Sequence, residues 1–169
     1  VTEYLIKEKY SSPKRIAIWS ASAGGILIGR AITERPDLFA AAIPEVGSFN
    51  TIRSELSPNG PGNIPEFGTV KDKTEFKALL EMDSFHHIKK GTAYPATLIT
   101  AGMNDPRVIA WEPAKFAASL QNANTSSNPI LFLTDFESGH GMGDSATKSI
   151  EKNSKRKKSQ KIRKSTFVA

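Results

Sequence analysis

Four short apolar runs, residues 15–19, 39–46, 95–101 and 129–134, constrain this chain most, because stretches of helical spacing separate them. Each run is short, carries β-branched or aromatic residues and is bounded by turn formers, which reads as a buried strand. Pro44 interrupts the second near its end. Residues 26–34, 74–83 and 113–122 have helical character; the first follows Gly24 and Gly25 and stops before Pro36, and Thr74 is placed to cap the second. An opening helical spacing (Val1, Tyr4, Leu5, Tyr10) ends at Ser11, Ser12 and Pro13. Strands alternating with helices predict a mostly parallel sheet flanked by helices, an α/β architecture. Residues 47–73 hold three prolines and three interior glycines, predicting a long irregular surface excursion of the kind that tends to carry function.

At 169 residues the chain is one domain's worth. With 38% hydrophobic and 24% charged residues it reads as globular, and no apolar run approaches the roughly 18 residues of a membrane span, so a soluble chain without a membrane partner is expected. The absence of cysteine excludes a disulfide framework, a thiolate zinc site and a Cys nucleophile. The net charge of +6 is local: residues 148–169 hold nine Lys+Arg and one acid, and the remainder is close to neutral at −2. The expected division is therefore a folded part, residues 1–147, and a basic, solvated, disordered tail, residues 148–169. That tail interleaves no aromatic with its charges, so no specific nucleic-acid partner is expected. No signal peptide is visible at Val1, and the sequence leaves cytoplasm and periplasm equally open.

The first strand runs into Trp19-Ser20-Ala21-Ser22-Ala23-Gly24-Gly25. A serine at a sharp strand-to-helix turn exposes its hydroxyl above the sheet, and the following helix aims amides at it, so the Ala23 N–H is a candidate oxyanion donor. Taken alone, the segment suits a phosphate-binding or inert Ser/Gly-rich loop equally well. Two later strand ends supply the missing partner types in the order Ser, Asp, His: Asp105 after the third strand, and His140, between Gly139 and Gly141, after the fourth. In an open α/β sheet, ligands meet the carboxyl ends of strands. The chemistry these residues support is acyl transfer, with Ser22 as nucleophile, His140 as base and Asp105 orienting the imidazole.

His86 and His87 follow a helix and lack a glycine-flanked strand end, so they read as surface or capping residues. Asp135 and Asp144 crowd His140 and are expected to cap or tune its loop. The three histidines show no metal-ligand spacing, so neither metal nor cofactor is expected.

Five blocks, SASAGG, RPDLF (35–39), YPATLITAGMNDPRV (94–108), WEPAKF (111–116) and SGHG (138–141), resemble the prolyl oligopeptidase family of serine peptidases over residues 2–143. The resemblance implies a partial α/β-hydrolase fold, a Ser22–Asp105–His140 triad, short peptides as substrates, Arg107 on a substrate carbonyl and Val108 in the specificity pocket. Cleavage after proline is the default expectation, and WEPAKF, similar to the oligopeptidase B branch, keeps a basic preference open. The alternatives are an α/β-hydrolase esterase and a catalytically silent binding protein. Three departures accompany the resemblance. Ser20 stands where the family has its first elbow glycine, which tightens the turn. The family's propeller and first hydrolase strands, with a second oxyanion donor, are not in these residues. The basic tail stands in place of an apolar closing helix. The expectation is a fragment with an unpaired sheet edge and little activity on its own.

Overall fold

The computed structural model describes residues 1–141 together with Thr147, Ile150 and Ser154. The tail and Asp144 otherwise lie outside the described residues. Four strands, β1 (Ala17–Ala21), β2 (Ala41–Glu45), β3 (Ala96–Gly102) and β4 (Ile130–Asp135), pair in parallel in the order β1-β2-β3-β4. The helices named among the described residues are α1 (Thr2–Lys7), α2 (Gly24–Glu34), α3 (Thr51–Ser54), α4 (Ile64–Phe67), α5 (Lys73–Met82) and α6 (Trp111–Ala123).

When strands add in sequence order, right-handed crossovers place the connecting helices on one face of the sheet. The core follows that rule. Ile28 and Ile32 of α2 and Phe116, Ala117 and Leu120 of α6 pack with Ala42, Ile99 and Ile130 from alternate positions of the strands. Phe49 and Phe116 stack with ring centroids 4.2 Å apart and nearly parallel, fastening the segment after β2 to α6. The other face presents Trp19, Leu131 and Leu133 outward.

Two local expectations shift. β2 continues through Pro44, which pairs with Ser20 of β1. The β2–β3 register contains Ala41, Ala42 and Glu45 but skips Ile43 and Pro44, where proline has no N–H to give. The N-cap of α5 is Asp72 rather than Thr74: one Asp72 carboxylate oxygen accepts from the amides of Thr74 (2.8 Å) and Glu75 (2.9 Å).

Candidate active site

The turn after β1 sets the site's geometry. Ser22 has φ of +57°, left-handed backbone that a non-glycine residue holds only where its surroundings over-determine it. Three backbone bonds do so: the Ser22 N–H donates to the Glu45 carbonyl (3.0 Å), and the Ser22 carbonyl accepts from Gly25 (2.8 Å) and Ser48 (3.1 Å). The helix that follows needs glycine. A Cβ on Gly24 would stand 2.8 Å from that of Ser20, and one on Gly25 would stand 2.6 Å from the Gly47 Cα. Ser20 itself lies in β1 without a positive φ, so the side chain replacing the family's glycine is accommodated in a regular strand; the strain sits two residues later, at Ser22. Ser20 Oγ is buried without a hydrogen-bond partner among the described residues.

The ends of β3 and β4 are bound to each other. Met103 N–H donates to the Asp135 carbonyl (2.9 Å) and Asn104 N–H to the Ser138 carbonyl (3.1 Å). Asp135 caps the turn before His140: its Oδ1 accepts from the amides of Glu137 and Ser138, and its Oδ2 accepts from the Ser138 hydroxyl at 2.6 Å. A Cβ on Gly102 would lie 2.2 Å from the Gly139 carbonyl oxygen, so only glycine permits this approach.

These constraints bring together three residues spread over 118 positions. His140 Nε2 lies 2.7 Å from Ser22 Oγ, and His140 Nδ1 lies 2.6 Å from Asp105 Oδ2. The second Asp105 oxygen accepts from the amides of Arg107 (2.8 Å) and Val108 (3.0 Å), which fixes the carboxylate plane. The Asp105 side chain is fully buried and that of His140 only 8% exposed, so little water competes for these bonds. Ser22, Ala23, Arg107 and Val108 all line one cavity of about 250 Å³, whose lining also includes Ser48, Thr51, Ser54 and Phe67 of the excursion after β2. The excursion is thus ordered around the site and contains α3 and α4.

His86 and His87 lie away from this cluster. The amide and Nδ1 of His86 both meet Asp83 Oδ1 at 2.9 Å, and His87 Nδ1 meets the Asp83 carbonyl at 2.7 Å, just beyond the end of α5. Among the described residues no group of three or more His, Asp or Glu side chains is arranged to hold a metal ion, and no helix is long and apolar enough to cross a membrane.

One residue goes unnoticed in the sequence. Glu112, in the first turn of α6, is 3% exposed, and its Oε1 accepts from the Ser48 hydroxyl (2.8 Å) and the amides of Phe49 (2.6 Å) and Asn50 (2.8 Å). Burial pushes its carboxyl above the ordinary range, with the nearby Asp83 charge acting in the same direction, and these three donors only partly oppose the shift. Its sequence signals are membership of the WEPAKF block, which assigns it no role, and an acid in the first turn of a helix, common on any surface helix.

A parallel sheet with helices packed on it and Ser, Asp and His after β1, β3 and β4 defines a protein of the α/β-hydrolase class. A profile of the prolyl oligopeptidase family matches residues 1–157. The prolyl endopeptidase of Elizabethkingia meningoseptica is 36% identical over 152 residues, 89% of this chain and 22% of that protein. Dipeptidyl aminopeptidase BI of Pseudoxanthomonas mexicana is 33% identical over 144 residues, covering 83% of this chain and 20% of the relative. Among solved structures, a prolyl endopeptidase superposes with a TM-score of 0.84 at 37% identity over 89% of this chain and 22% of its own. Oligopeptidase B from Leishmania major superposes at 0.78 with 32% identity over 82% of this chain and 20% of its own. The chain belongs to the prolyl oligopeptidase family and spans about a fifth of the length of these relatives.

Proposed function

We propose that this chain carries the catalytic machinery of a serine peptidase acting on short peptides, within residues 1–147. The observation that carries the reading is the unbroken relay from Ser22 Oγ through His140 to Asp105, at 2.7 and 2.6 Å. Ser22 Oγ attacks the scissile carbonyl carbon as His140 Nε2 takes the hydroxyl proton. The carbonyl oxygen becomes the oxyanion facing the Ala23 amide, and Asp105 holds the imidazolium through Nδ1–H. Collapse breaks the C–N bond, and His140 returns the proton to the departing amine. Water then repeats the sequence against the acyl-serine and releases the acid. Arg107 and Val108, on the cavity wall, contact the acyl side of the substrate. Ala23 supplies one oxyanion donor among the described residues, and one such donor is typically worth about 10²–10³ in rate.

Cleavage after proline is the first preference, as the names of the similar prolyl endopeptidases suggest. A second preference, for a cationic side chain, is favoured by Glu66 on the cavity lining, with Glu55 beside it shared with Lys71 (3.9 Å). A matched pair of fluorogenic peptides ending in Pro or Arg separates the two. The test of the chemistry is labelling of the native chain with a fluorophosphonate, with the site mapped by mass spectrometry. Labelling at Ser22, lost on heat denaturation and in Ser22→Ala, is the expected result. A folded chain that leaves Ser22 unlabelled overturns the reading.

A further inference from the structure

The strained conformation of Ser22 depends on a segment that is itself held from a distance. Immediately after β2, Val46 has φ of +41°, an unusual conformation for a β-branched residue, and it turns the chain into the Gly47–Asn50 stretch. That stretch gives Ser22 one of its three backbone bonds, from Ser48 N–H to the Ser22 carbonyl. Ser48 also lines the cavity. Positive φ at two non-glycine residues on adjacent strand ends is unfavourable backbone that persists only under external constraint.

Glu112 Oε1 supplies that constraint. One oxygen collects three donors from consecutive residues, Ser48 Oγ, Phe49 N and Asn50 N, all 62–64 positions away in sequence. Three donors converging on one acceptor fix both the position and the orientation of the short segment, and a surface position would not need them. Behind it the network continues: Asn50 Nδ2 donates to the buried Asp83 Oδ2 (2.7 Å), and Lys115, one turn on from Glu112, donates to Asn50 Oδ1 (3.2 Å). Glu112 also stands in the first turn of the helix that follows the Asp105 loop, where Asp105 Oδ1 accepts from Arg107 and Val108. It therefore connects the segment beside Ser22 to the helix that follows the Asp105 loop.

We propose that Glu112 is a positioning residue of the site: its Oε1 clamps residues 48–50, and through the Ser48–Ser22 backbone bond the clamp keeps the Ser22 hydroxyl aligned with His140. The inference rests on the serine-nucleophile reading above, and the clamp itself can be measured without it. A positioning role predicts that an acceptor oxygen at this place is needed and that its charge is secondary.

The experiment compares the full chain with Glu112→Gln, which keeps an acceptor oxygen, and Glu112→Met, which fills similar volume without one. Amide hydrogen exchange across residues 47–52 reads the clamp, and saturation kinetics of fluorophosphonate labelling read Ser22. In folded Glu112→Met the Phe49 and Asn50 amides exchange at least tenfold faster while β3 and β4 keep their protection. Its maximal labelling rate falls about tenfold or more, with little change in the half-saturating concentration. Glu112→Gln stays within about fivefold of the parent in both readouts, since a neutral acceptor forms weaker bonds to the same donors. Unchanged exchange at Phe49 and Asn50, or parental labelling of folded Glu112→Met, overturns the proposal. So does global unfolding of Glu112→Met beside a folded Glu112→Gln, because the oxygen would then be holding the whole fold rather than one segment. If the parent chain is not labelled at all, the serine-nucleophile reading fails and exchange alone decides: fast exchange confined to 48–50 supports the clamp, and unchanged exchange removes it.

Discussion

Asp105 uses its two oxygens differently, and the division makes a prediction at the scale of one residue. Oδ1 is occupied by the Arg107 and Val108 amides, so the side chain is fixed whether or not it carries charge. Among the described residues, Oδ2 meets only His140 Nδ1. In Asp105→Asn the carbonyl oxygen stays on the two amides and the NH₂ meets the imidazole, which forces the wrong tautomer and leaves Nε2 protonated toward Ser22. Labelling of Ser22 should fall about 10³–10⁴-fold with the urea midpoint nearly unchanged, and a loss of less than tenfold would mean the carboxylate plays little part. Glu112 illustrates the opposite balance. Burial raises its pKa, so the fold favours the protonated acid and ionisation costs stability. That cost is absent below the ordinary carboxylate range and grows as pH rises through the window up to the raised value. Glu112→Gln mimics the neutral form and lacks this dependence. Urea denaturation from pH 4 to 8 should therefore show the parent losing stability relative to Glu112→Gln as pH rises; parallel curves would mean the carboxyl is not penalised by burial.

At the scale of elements, the contact between the β3 and β4 ends is one that a single methyl would break. Gly102→Ala would place its Cβ 2.2 Å from the Gly139 carbonyl oxygen, so the backbone carrying His140 must move. Overpacking of this kind costs about 1–3 kcal/mol. Because the nearest atoms belong to the Ser138–Gly139 backbone, the displacement should reach His140 first, and Ser22 labelling should fall by more than the loss of folded protein explains. Most of these elements were legible in the sequence, because apolar runs and helical periods record what faces the core. β1 and β3 end two and one residues beyond the expected limits, at Ala21 and Gly102, since small residues near a turn carry no apolar signal. The one-turn helices α3 and α4 were illegible for a related reason: four residues are too few to show a period, and Pro61 and Pro65 read as breaks. Ser22, Asp105 and His140 could be found because each closes a strand. Glu112 could not, because its partners are set by tertiary contacts across more than 60 residues.

The whole molecule reflects its strand order. Because each crossover advances the sheet in one direction, the connecting helices gather on one face and Ser22, Asp105 and His140 stand along the same carboxyl edge, in sequence order. The arrangement that builds the site also leaves alternate side chains of β4 pointing away from the helices. Ile130 and Phe132 pack toward the core, whereas Leu131 and Leu133 are 44% and 39% exposed on the edge strand. Apolar side chains on an exposed edge favour contact with another chain, and a charge there opposes it. Leu131→Lys with Leu133→Lys should therefore reduce concentration-dependent association, measured by light scattering, while Ser22 labelling stays within about twofold, because neither residue lines the cavity. If association is unchanged, this face takes no part in it. If labelling collapses together with association, the outer face of β4 supports the geometry of the His140 loop, and the two faces of the sheet are mechanically coupled.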